Sequence, residues 1–203
     1  MKRALLAILA VAMTTTAVAE SPHSPRGLDP KFAQALIQAA VAQTSTPVTY
    51  DGSYRRIPYP GGDVPANIGV CTDLVVRAYR AVGVDLQVRV HEDMRAAFGS
   101  YPRLWGLSRP DPNIDHRRVP NLQAYFRRRG AQLSISRDAS DYLPGDLVTW
   151  TLPGNLPHIG LVTDRRSPDG ARWLIVHNIG RGPQIEDILF GYPISGHYRY
   201  RAD

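Results

Sequence analysis

The chain has 203 residues, including 17 glycines, 17 prolines and one cysteine, and carries 24 basic against 18 acidic side chains for a formal net charge of +6. That length suits one ordinary domain, and a composition of 43% hydrophobic and 21% charged residues is globular, which excludes wholesale disorder. No apolar run reaches the about 18 residues of a membrane-spanning helix, and one cysteine excludes an internal disulfide framework or a multi-cysteine zinc site.

At the start of the chain Lys2 and Arg3 precede a short apolar stretch, Ala4 to Met13, and Ala17-Val18-Ala19 forms a small-x-small site before Glu20. That order predicts a secretory signal over residues 1–19, cleaved after Ala19, and so a periplasmic or secreted protein with no membrane span left after cleavage. Residues 20–28, with Pro22, Pro25 and Gly27, read as a disordered leader, and a single domain is expected over 29–203. Beyond the signal, Lys31 is the one lysine; the basic charge is arginine, recurring at Arg55-Arg56, Arg117-Arg118, Arg127-Arg128-Arg129 and Arg165-Arg166. These side chains suit either solvated faces or attraction to an anionic envelope polymer or lipid head group. Nucleic acid is not expected as a partner, because there is no stripe interleaving aromatic and basic residues.

Asp29 caps a helix with Pro30 at its first position and Phe32, Leu36 and Ala40 on one face, ending near Gln43. Residues 50–69 read as a structured loop around Tyr59-Pro60-Gly61-Gly62. A second helix begins near Cys71, turns Leu74, Val75, Ala78 and Val82 inward, and stops at Gly83. A short helix is expected from near His91 to before Gly99, and another from Pro120 through Leu122, Tyr125 and Phe126 to Gly130. After Gly130 the periodicity becomes that of strands: Asp146 to Thr151, His158 to Thr163, Trp173 to Asn178 and His197 to Arg201. Helices first and strands afterwards predict an α+β domain built on an antiparallel sheet.

Cys71 is the residue around which the chemistry turns. At a helix N-terminus, free N–H groups and the macrodipole favour a thiolate, and an exported chain with no second cysteine has no partner for it within the chain; the alternatives are a small buried residue or an intermolecular disulfide. A thiol nucleophile needs a base within hydrogen-bond reach and a group to orient that base. His158 opens a strand directly after the turn Leu152 to Pro157, and His177 ends the next strand, so the two can meet across an antiparallel pair. Asn178 is the alternative third member, since only one of two successive strand residues can face the imidazole. No His-x-x-x-His pair or equivalent close ligand spacing exists, so neither metal nor cofactor is expected.

Tyr59-Pro60-Gly61-Gly62, a cysteine at a helix start, Leu143-Pro144-Gly145-Asp146-Leu147-Val148 and His158-Ile159-Gly160-Leu161-Val162 together resemble the NlpC-type cell-wall cysteine peptidases of the papain-like superfamily. The whole chain from about Tyr50 onward also resembles the exported bacterial family labelled DUF 1287, through Gly69-Val70-Cys71-Thr72-Asp73, His91-Glu92-Asp93-Met94, Asn113 to Leu122, His177-Asn178-Ile179-Gly180 and Gly196 to Tyr200. The first resemblance implies a papain-like fold, a Cys71–His158–His177 triad and peptidoglycan amide bonds as substrate. It also implies Tyr59 as a second oxyanion donor beside the backbone N–H of Cys71. Val70 and Thr72-Asp73 depart from the Asp-Cys-Ser-Gly of the peptidases.

Asp73 has two readings, a first-turn acid that caps the helix or a ligand for a substrate amine. Asp115-His116-Arg117-Arg118 likewise reads either as a guanidinium fork for an anionic substrate group or as an internal ion-pair network pinning a long loop. The competing functions are an acyltransferase or thioesterase on envelope lipids using the same site, and a non-catalytic module binding peptidoglycan or another anionic envelope polymer.

Overall fold

The computed structural model describes residues 27–202. The expected signal 1–19 and most of the expected leader, residues 20–26, lie outside the described residues. Of that leader, Leu28 is half-buried; its side chain is so close to Gly145 that a Cβ there would sit 2.9 Å from Leu28 Cδ1.

Helix α1, Pro30–Ala42, starts where Asp29 accepts a hydrogen bond from the Phe32 N–H at 3.0 Å, with Pro30 at a position that needs no donor. Two short strands, β1 (Thr49–Tyr50) and β2 (Ile68–Gly69), pair in parallel and close the long loop between them. Helix α2, Cys71–Ala81, follows directly. Helix α3 runs Leu86–Ala97, so it begins a turn and a half earlier than His91, where it was expected. The start is Asp85, whose carboxylate accepts from the Gln87 N–H at 3.0 Å immediately after the Gly83 turn; His91 is mid-helix. Helix α4, Val119–Arg128, carries Pro120 in its first turn and stops at Gly130, which takes a φ of 67°.

The main sheet is antiparallel throughout, with spatial order β3-β8-β4-β5-β6-β7. Its strands are β3 (Gln132–Leu133), β4 (Leu147–Leu152), β5 (Leu156–Arg166), β6 (Trp173–Asn178), β7 (Pro183–Glu186) and β8 (Ile194–Tyr198). The chain is therefore α+β, helices packed on an antiparallel sheet, as its periodicity predicts. Strand β7 escaped prediction because it opens on a proline and lies at the sheet edge, where the missing N–H costs nothing. The last strand sits three residues earlier than the expected His197 to Arg201. Its pairing ends at Tyr198, and Tyr200 instead inserts between Tyr79, Tyr125 and Phe126, with its hydroxyl 2.6 Å from that of Tyr125.

Alternation along the strands divides two cores. Ile159 and Leu161 of β5, Val176 of β6, Leu147 of β4 and Tyr198 of β8 join the apolar faces of the helices, including Leu36, Leu74, Leu86 and Phe126. On the opposite face Val148, Trp150, Val162 and Ile175 pack under Tyr142 and Leu189, which come from connecting segments. Leu74, Leu36 and Phe126 are each at most 2% exposed, and burying a side chain of this size contributes about 1.5–3 kcal/mol. Among the described residues no helix is long and apolar enough to cross a membrane.

Candidate active site

Cys71 is the first residue of α2, after Val70 in extended backbone. The helix start is held by Asp73, whose Oδ2 accepts from the Val70 N–H at 2.7 Å. The same carboxylate takes both arms of the Arg117 guanidinium, at 2.8 Å from Nε and 2.9 Å from Nη2. Both side chains are buried, so this is an internal ion pair with excellent geometry. Arg117 also donates to the carbonyls of Asp51 and Ser53, strapping the segment after β1 over the helix start. Asp73 thus holds both the helix start and the Arg117 guanidinium. In the rest of that cluster Asp115 accepts from the Asp111 N–H and from Arg118, Arg118 lies 4.0 Å over the Trp105 ring, and His116 is buried.

His158 and His177 are brought together. Nε2 of His158 lies 3.0 Å from Nδ1 of His177, with the rings edge-on at 5.1 Å. Gly160 makes this approach possible. It is paired opposite His177, and a Cβ on it would stand 2.7 Å from Ile175 Cγ2 and 3.0 Å from His177 Cβ. The contact continues to a residue that sequence reasoning missed, Glu186 of β7, whose Oε2 is 2.8 Å from His177 Nε2, off the direction of a straight N–H···O bond. A carboxylate there favours the proton on Nε2 of His177, which leaves Nδ1 to accept from His158 Nε2–H. His158 Nδ1 is then the ring nitrogen left without a proton.

The thiol approaches the same strand from the helix side. It meets β5 at Ile159, whose backbone N–H faces it, one residue after His158. By alternation His158 shares a face of β5 with Gly160 and Val162, whereas Ile159 faces the helices, so the thiol and the imidazole lie on opposite sides of the strand plane. Among the described residues no hydrogen bond joins Cys71 to His158 or His177. Asn178 faces the helix side, donating to the Gly69 carbonyl at 3.4 Å, and so ties the end of β6 to the strand before the cysteine instead of backing the imidazole.

A second residue missed by sequence reasoning is Tyr50. The β1–β2 register pairs it with Gly69, two residues before the cysteine, and its hydroxyl is a polar neighbour of the thiol. Tyr59, by contrast, packs its ring against His91 at 5.0 Å. No sequence motif marks Tyr50; the parallel pairing of two two-residue strands delivers it.

The electrostatics follow from enclosure. Cys71 is 4% exposed, His158 1% and His177 0%. Burial pushes the thiol up to about 11, against the opposing pull of the Ile159 N–H and the Tyr50 hydroxyl. Burial, and secondarily His177, brings His158 down to about 3, and burial also lowers His177 against the attraction of Glu186. In this conformation the site thus holds a protonated thiol and neutral imidazoles; desolvation outweighs the helix dipole that favours a thiolate. Among the described residues no group of three or more His, Cys, Asp or Glu could hold a metal ion.

Against known proteins, the chain is 50% identical over 166 residues to the uncharacterized protein YijF of Escherichia coli K12, an alignment covering 82% of this chain and 80% of that protein. Residues 37–200 match the family model described as a domain of unknown function, DUF1287. That span takes in all of the site and nearly the whole domain, and the chain belongs to the DUF1287 family.

Proposed function

We propose that the chain is an exported cysteine hydrolase of papain-like, NlpC-type architecture that cleaves amide bonds of peptidoglycan peptides, with Cys71 as nucleophile. The observation that carries the reading is the row His158–His177–Glu186, at 3.0 and 2.8 Å, ending one residue from the strand position that the Cys71 thiol contacts. In the reaction, His158 Nδ1 takes the thiol proton as sulfur bonds to the scissile carbonyl carbon. The first-turn N–H of Cys71 donates to the oxyanion. The proton then passes to the departing amine as the C–N bond breaks, and water, deprotonated by the same imidazole, hydrolyses the thioester and frees the cysteine. His177 and Glu186 hold the tautomer that keeps Nδ1 free. On this reading substrate binding has to bring together the thiol and the ring, which face opposite sides of β5. The envelope as location rests on the signal-like residues 1–19.

Digestion of purified sacculi, with soluble products identified by mass, tests this. Wild-type protein should release fragments with newly freed amine and carboxyl ends, and Cys71→Ala none. Absence of products from the wild type sinks the assignment.

A second reading, a non-catalytic envelope-binding module, draws on the enclosed thiol held at about 11 and on the absence, among the described residues, of a bond between it and His158. Alkylation separates the two: rapid modification of Cys71 by iodoacetamide at pH 7 favours the hydrolase, and inertness favours the module.

A further inference from the structure

The segment that leads away from Tyr50 forms one wall of a second feature. A cavity of about 690 Å³ opens between this segment, the outer face of α3 and the loop before Pro112. Three arginines line it from three separate stretches of chain: Arg56 from the segment after β1, Arg95 from α3 and Arg109 from the loop. None of the three pairs with a carboxylate among the described residues. Elsewhere the arginines near acids are engaged, as Arg77 is with Asp63, Arg117 with Asp73 and Arg172 with Asp187.

The one carboxylate lining the cavity is Asp111, and its oxygens are already taken. They accept from the Tyr54 hydroxyl at 3.0 Å, the Asn113 N–H at 2.9 Å and Asn113 Nδ2 at 2.7 Å. His91 completes the wall, and its Nδ1 is buried without a hydrogen-bond partner. Unpaired guanidinium groups gathered in a concave site are the recognition chemistry for an oxyanion. The volume exceeds what one small inorganic anion fills and leaves room for a ligand with atoms beyond its charged group.

The position relates the cavity to the cysteine. Tyr50 contacts the thiol, and Tyr54, four residues on, lines the cavity; four residues of extended chain span at most about 14 Å. The connecting segment is clamped at both ends, by Arg117 on the Asp51 and Ser53 carbonyls and by Asn113 Oδ1 on the Ile57 N–H at 3.0 Å. The clamped segment thus keeps the backbone of the cavity wall within about 14 Å of that of Tyr50, on the scale of a short peptide.

We infer that this cavity holds the carboxylate-bearing end of the peptide whose amide bond Cys71 attacks, gripped by Arg56, Arg95 and Arg109. The substrate role rests on the hydrolase reading, whereas the carboxylate site does not. The test is calorimetric titration of the Cys71→Ala chain with an alanine tripeptide bearing a free C-terminal carboxylate, with the same peptide as its C-terminal amide, and with inorganic phosphate. The acid should bind saturably and the amide at least about tenfold more weakly; each of Arg56→Gln, Arg95→Gln and Arg109→Gln should cost about tenfold, at unchanged melting temperature, since all three are exposed. Equal binding of acid and amide, indifference to all three substitutions, or phosphate binding as tight as the acid would overturn the inference. Because this readout needs no catalysis, failure of the binding leaves sacculus digestion to be judged separately. Binding without digestion would refute the hydrolase and with it the substrate role, leaving the carboxylate site itself supported.

Discussion

Removing the Asp73 carboxylate should destabilise the domain more than any other single surface-to-site change around the cysteine. Asp73 and Arg117 have side chains only 3% and 2% exposed, and the acid neutralises a bidentate guanidinium. Truncating one member of a buried, well-formed pair leaves an uncompensated charge and costs about 3–5 kcal/mol. The Val70 N–H, which donates to the same carboxylate at 2.7 Å, is orphaned at the helix start and adds about 1–3 kcal/mol. Asp73→Ala should therefore lose about 4 kcal/mol or more, which for a domain of this size lowers the melting temperature by about 10 °C. Urea unfolding followed by circular dichroism measures the loss, and Asp73→Asn, which keeps an acceptor for the Val70 N–H, should lose less. The double change Asp73→Leu with Arg117→Met should recover part of the loss, because it removes both charges together. A loss under about 1 kcal/mol for Asp73→Ala would refute the structural role of the carboxylate.

Acid should weaken the fold through its buried histidines. Burial, helped by Arg117 and Arg80, lowers His116 from 6.5 to about 4, so the unfolded chain takes up this proton first and stability falls as pH drops from about 6.5 to 4, by up to about 3 kcal/mol from this group. Urea midpoints across that range should decline less steeply in His116→Gln; parallel declines would contradict the assignment. Gly160→Ala should cost about 1–3 kcal/mol by overpacking and should separate the histidines, seen as altered imidazole resonances. Unchanged resonances would show that His177 does not need the space. Under the hydrolase reading, Glu186→Gln should lower kcat about tenfold or more with KM little changed and shift the pH–rate profile. An unaltered profile would remove Glu186 from the row.

Much of the architecture was legible because it is written in local pattern. Asp29-Pro30 begins a helix by capping chemistry, Gly83 and Gly130 end helices, and β6 falls on the predicted Trp173 to Asn178 because alternation and flanking turns agree. Elements that do not pattern locally were missed or shifted. Strand β7 reads as a loop until a neighbour supplies its hydrogen bonds, and β1 and β2 are too short for any periodicity. Helix α3 starts before His91 because Asp85 caps it.

By itself the sequence determined the class of the fold, a cysteine opening a helix, and two histidines on neighbouring strands. Residue type and period settle such things, because caps, turns and alternation act over a few residues. Tertiary structure decided how these groups face one another. Register put His158 and His177 on one side of the sheet and Ile159 and Asn178 on the other. A distant arginine made Asp73 a buried counter-ion. Parallel pairing brought Tyr50 to the thiol, and enclosure raised a thiol that the helix dipole alone would lower. Each of these depends on solvent exclusion and on contacts between residues tens of positions apart, and neither quantity is carried by local sequence.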